Sequence, residues 1–214
     1  MVASFVKRAL KGVCYKTLGV QHRVPGSASV LLTFDDGPEP SITEGILARL
    51  REHRARAVFF TVGCHVERAG NILQAIVADG HLIGNHSFEH LIEEPGPIAR
   101  VMEDLRRCQS VIQEHVGLVP RLYRPPFGRL RLSTLRAAHR LSLKTLLWSI
   151  DTGDWQFTSS AEAAARGVAL ARSVAPGDIV LCHESNPHVL AMLDAFLPVV
   201  AARGFDLSSG VDMV

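Results

Sequence analysis

Residues 30–62 read "VLLTFDDGPEPSITEGILARLREHRARAVFFTV" and contain a complete strand–helix–strand unit. "VLLTF" is an unbroken apolar and β-branched run, the pattern of a strand covered on both faces. In "SITEGILARLREHR", Ser41 is the expected N-cap and Glu44 stands three residues later, a capping box opening an amphipathic helix. "RAVFFTV" (56–62) is the next strand, and a helical crossover joins two strands in parallel. The alternation continues through helices at 66–79, 97–115, 131–140, 161–173 and 187–203. Between and after them the strands fall at 81–87, 121–126, 142–150, 178–184 and 205–209. The expected class is α/β, with about seven parallel strands and helices outside them. A closed or nearly closed α/β barrel is the economical architecture, and a doubly wound open sheet is its competitor.

The totals exclude several alternatives. In 214 residues with a net charge of +2, nothing argues for nucleic acid as a partner. No apolar run reaches the ~18 residues a membrane-spanning helix needs. Cys14, Cys64, Cys108 and Cys182 lack C-x-x-C spacing and read as reduced thiols, which points to a cytoplasmic protein. Residues 1–27 stand apart from a catalytic domain expected at 28–214. Lys7, Arg8, Lys11, Lys16 and Arg23 precede the first acid, Asp35, and "VPGSAS" (24–29) is a turn-rich link. Val2, Phe5, Val6, Ala9, Leu10 and Val13 recur at helical spacing. That helix either closes one end of the domain or lies on an anionic membrane, a peripheral contact through residues 1–20.

Ionisable residues gather at the ends of the strands. Asp35 and Asp36 follow the first, His86 and His90 the third, Arg124 ends the fourth, Asp151 and Asp154 follow the fifth, and His183 ends the sixth. In parallel α/β folds these ends open on one face, where active sites are built. Two adjacent carboxylates repel each other and need a cation or separate tasks. Two histidines four apart plus one aspartate make a three-donor site with open positions, suited to a divalent metal: zinc first, or cobalt, nickel or iron. Cys64 and His65, after the second strand, read as rim residues of the same mouth.

"TFDDG", "HSFEH", "RPPFG", "DTGDW" and "LCH", in this order, resemble the five motifs of the polysaccharide deacetylase family, also known as carbohydrate esterase family 4 or the NodB-homology domain. The resemblance implies a distorted (β/α) barrel with fewer than eight strands and a hydrolase that removes N-acetyl groups from amino sugars in glycans. It implies Asp35 as general base, with Asp36, His86 and His90 holding the metal. Arg124 would orient Asp35, and His183 would be the general acid supported by Asp154. Trp155 and Leu181 would line the acetyl pocket, and the backbone N–H of Phe127 would help hold the oxyanion. Two departures stand out: Phe127 where tyrosine is frequent, and Cys182 where an aliphatic residue is usual, which places a thiol near His183 in sequence.

The substrate expected is a carbohydrate bearing N-acetylglucosamine-type residues. An O-acetyl xylan esterase, a deformylase or deacetylase of a lipid-linked amino sugar, and a catalytically inert carbohydrate-binding module are the alternatives.

Overall fold

A computed structural model describes residues 19–26, 28–90 and 96–214. The helix expected over residues 2–13 and its membrane contact therefore lie outside the described residues. Eight strands, all parallel, form one curled sheet: β1 Val20–Gln21, β2 Leu31–Gly37, β3 Ala57–Thr61, β4 Leu82–Asn85, β5 Leu122–Tyr123, β6 Lys144–Leu146, β7 Ile150–Asp151 and β8 Ile179–His183. Their order is β1-β6-β5-β4-β3-β2-β8-β7, a half-barrel whose two ends do not pair with each other. Helices α1 Pro40–Glu52, α2 Gly63–Ala69, α3 Ile72–Ala78, α4 Ile98–Val116, α5 Leu132–Arg140, α6 Ser160–Ser173 and α7 Val189–Ala202 connect and cover the strands.

The differences from the sequence reading have local causes. The strand expected over 142–150 is two short strands, because residues 147–149 leave one neighbour for another. Leu147 N–H donates to the Gln21 carbonyl and Ser149 N–H to that of Ile179. The strand expected at 205–209 is a single bridge from Asp206 to Ser29, after which Ser208 and Ser209 N–H turn onto the Asp206 carboxylate and a 3-10 helix begins. The eighth strand is β1, which pairs with β6 although sequence reading placed it before the domain. Nor is Ser41 the N-cap of α1. Glu39 holds that position with Pro40 behind it, where a missing N–H costs nothing, and Thr43 Oγ1 accepts the Glu39 N–H.

Alternation along the strands divides the core in two. Leu31, Val58, Phe60, Leu122, Leu146 and Ile179 fill the concave side. Leu32, Phe34, Ala57, Phe59, Val180 and Cys182 pack outward against α1, α6 and α7. With a period of two, Leu31, Thr33 and Asp35 climb the inner face of β2, as Ile179, Leu181 and His183 climb that of β8. Asp35 and His183 are direct partners in the ladder. The core pattern thus delivers the base and acid candidates side by side at one mouth.

Candidate active site

By the same alternation Asp36 should point outward with Phe34, yet it does not. Opposite β3 the pairing steps from Asp35–Phe60 to Gly37–Thr61, so Asp36 is the extra residue of a bulge, with φ at 71°. The bulge turns its carboxylate back toward the mouth, where Oδ1 lies 3.1 Å from His90 Nε2 and 3.5 Å from His86 Nε2. Burial disfavours the Asp36 charge, but hydrogen bonds and attraction from both imidazoles prevail and hold the group well below the usual carboxylate range.

The histidines come from the turn after β4. His86 is buried, and its Nδ1–H donates to the Arg124 carbonyl at 2.7 Å, which fixes the ring and turns Nε2 toward Asp36. Ser87 and His90 take left-handed φ values of 67° and 49°. Ser87 Oγ accepts the His90 N–H, and the Asp104 carboxylate on α4 accepts the N–H groups of Phe88 and Glu89. Sequence reading missed Asp104. Its signal was a lone acid beside Val101 and Leu105 on the apolar stripe of α4, and burial raises its pKa.

The donor atoms of Asp36, His86 and His90 lie within 4.8 Å of one another, the one such three-donor group found among the described residues. Ligands about 2.1 Å from a tetrahedral ion stand roughly 3.4 Å apart. The Asp36–His90 and Asp36–His86 separations of 3.1 and 3.5 Å match that spacing, and two imidazoles with one carboxylate are the donor set a divalent metal takes.

Beside this cradle Arg124 is wholly buried. Its Nη1 donates to Asp35 Oδ1 at 2.7 Å and to Thr33 Oγ1, its Nε and Nη2 to the carbonyls of Leu146 and Leu147, and its guanidinium lies over the Phe60 ring. A charge this deeply buried is tolerated because each guanidinium nitrogen has a hydrogen-bond partner and one of those partners is a carboxylate. Asp35 Oδ1 is thereby occupied, while Oδ2 faces His86 Nε2 at 3.6 Å.

Across the mouth, the buried Asp154 accepts from His183 Nδ1 at 2.8 Å and from the His183 N–H at 2.7 Å. Burial alone would lower the pKa of His183, but the bond and charge of Asp154, helped by Asp35 and Asp36, lift it to about 9. Leu181 is buried two residues below His183. Trp155 is 58% exposed and Phe127 49%, so both aromatics stand at the open rim. Phe127 has a φ of 58° and packs its ring 4.8 Å from that of His90. Cys182 points away from the site into the outer core, with burial pushing its thiol well above the ordinary range, so its nearness to His183 in sequence is not nearness to the chemistry.

A groove of about 880 Å³ opens from the cradle, lined by Asp36, His90, Glu39, Cys64, His65 and Glu184. A smaller cavity of about 330 Å³ lies beyond Ser87 and Phe127. Glu184 is fully buried against Gly37, accepts from Thr43 Oγ1 and the Glu39 N–H, and has its pKa raised to about 7, chiefly by desolvation.

The polysaccharide deacetylase family matches residues 22–146, more than half of the chain. The chain belongs to that family. Family members similar to it include a peptidoglycan-N-acetylglucosamine deacetylase of Bacillus cereus, 35% identical over 83% of this chain and 65% of its own length. A chitooligosaccharide deacetylase of Azorhizobium caulinodans is 32% identical over 84% of this chain and 91% of its own. The crystal structure of the Bc1960 peptidoglycan N-acetylglucosamine deacetylase superposes with a TM-score of 0.83 at 27% identity, covering 93% of this chain and 95% of that one. The chain spans just under two thirds of the length of the Bacillus cereus relative.

Proposed function

We propose that this chain is a metal-dependent hydrolase removing N-acetyl groups from N-acetylglucosamine-type residues of an oligo- or polysaccharide, with release of acetate. One observation carries the reading. A single mouth holds a three-donor metal cradle, flanked by a carboxylate locked to a buried arginine and by an imidazole locked to a buried carboxylate. The activities named for the relatives agree with it.

Two imidazoles and one carboxylate with open positions suit zinc best. A divalent ion supplies Lewis acidity, polarising the acetyl carbonyl and acidifying water. Asp35 accepts the proton of the attacking water through Oδ2, since Arg124 occupies Oδ1. His183, with Nδ1–H bound to Asp154 and a pKa of about 9, is an imidazolium at neutral pH and returns a proton to the departing amine from Nε2. The N–H of Phe127 is assigned to the oxyanion, and Leu181 and Trp155 to the acetyl methyl.

Acetate release from N-acetylglucosamine oligomers and from peptidoglycan, with acetylated xylan as the ester control, tests the reading. Acetate from an amide substrate is expected. Cleavage of the ester alone would replace the proposal with an O-acetyl esterase.

A further inference from the structure

The bulge at Asp36 sets a problem of support. The carbonyls of three successive residues are held by three different donors. Asp35 O accepts the Glu184 N–H at 2.9 Å and Gly37 O accepts the Val62 N–H at 2.8 Å, both from main chain at the neighbouring strand ends. Asp36, passed over by the β2–β3 register, has its carbonyl held by a side chain, His65 Nδ1 at 2.8 Å. A carbonyl only accepts, so this Nδ1 carries the proton. His65 sits in the first turn of α2, which starts directly after β3, so its own backbone is anchored to the strand that the bulge interrupts.

We infer that His65 is a positioning residue for the metal ligand Asp36: it supplies the hydrogen bond that the bulge takes out of the ladder, and so keeps a non-glycine residue in a left-handed conformation with its carboxylate on the ion. The inference rests on the metal-site reading above. Residues that orient a ligand commonly change metal affinity 10- to 100-fold when removed, by roughly that factor and without touching the ion.

The test is a zinc titration of the metal-free chain against a competing chelator, with thermal unfolding of the metal-free protein measured in parallel. His65→Ala is expected to weaken zinc binding at least about 10-fold while the metal-free unfolding temperature stays close to that of the wild type. His65→Asn keeps an N–H near the position of Nδ1 and is expected to recover most of that affinity. Zinc affinity in His65→Ala within twofold of the wild type overturns the inference, as does an Asn variant no better than Ala. A wild-type chain that binds no zinc instead sinks the metal site itself, and this inference with it.

Discussion

The ends of β2 and β8 lie side by side and present functional groups in opposite ways. β8 keeps strict alternation: Leu181 inside, Cys182 outside, His183 inside. Such a strand delivers one group to the mouth for every two residues. β2 breaks the rule with its bulge and delivers two consecutive carboxylates to the same side, one to Arg124 and one to the imidazoles. Backbone strain follows the same division. Of six non-glycine residues with positive φ among the described residues, Asp36, Ser87, His90 and Phe127 are at the site, and the regular end of β8 has none. Regular strands set the register of Asp35 against His183, and strained turns gather Asp36, His86 and His90 between them.

The sharpest way to break this comparison is to remove the two aspartates in turn. Asp36→Ala should abolish tight zinc binding and, with it, acetate release. Asp35→Asn should retain zinc while losing about 10³-fold in kcat, the scale of a general base. Equal loss of zinc in both variants would mean that the bulge does not separate their tasks.

On the β8 side, Asp154→Asn removes the charge that lifts His183 to about 9. A raised histidine pKa keeps the imidazolium through neutral pH and loses it as pH climbs past that value. The alkaline limb of kcat/KM should therefore move to lower pH in the variant, with activity at neutral pH falling on the order of 100-fold. An unmoved alkaline limb would assign it to a different group.

How far this site could be read from the sequence follows the same contrast. The five motifs, the strand ends they occupy and the pairing of Asp35 with Arg124 and of Asp154 with His183 were legible, because alternation and family resemblance both bear on regular strand ends. Asp36 was legible as a neighbour of His86 and His90 but not as a bulge, since no residue pattern in "FDDGP" shows that the second aspartate turns back. Its support was hidden for the same reason. His65 read as rim, and Glu184 and Asp104 as nothing, because each acts through backbone N–H or carbonyl groups that composition does not reveal. The broken strand at 142–150 was illegible too, its two halves being equally apolar and separated only by which neighbour they bond.

Glu184 joins the two strands, and its effect is one of stability. Its carboxyl is fully buried with Oε1 unpartnered, and its pKa rises from 4.5 to about 7. The folded chain then holds a proton that the unfolded chain releases above pH 4.5. Stability should decline between pH 4.5 and 7 by about 3 kcal/mol and level off above. Glu184→Gln keeps an acceptor for Thr43 and removes the ionisation. Its unfolding temperature should match the wild type at pH 5 and equal or exceed it at pH 8. A variant less stable at pH 8 would show that the ionised carboxylate is needed to hold the Gly37–Thr43 segment.

The smallest expected effect belongs to Cys182, flanked in sequence by Leu181 and His183 but facing the helices. Its thiol is fully buried, and desolvation keeps it protonated far above neutral pH, so the thiolate that alkylating reagents require does not form in the folded chain. Cys182→Ala should cost about 1 kcal/mol through a small cavity against α1 and α7, and leave kcat within twofold. Iodoacetamide should leave Cys182 unlabelled in the folded protein, as read by mass spectrometry of the peptide that carries it. A large loss of kcat in Cys182→Ala with stability intact would mean that β8 does not alternate to its end, and His183 would then no longer be placed by its register against Asp35.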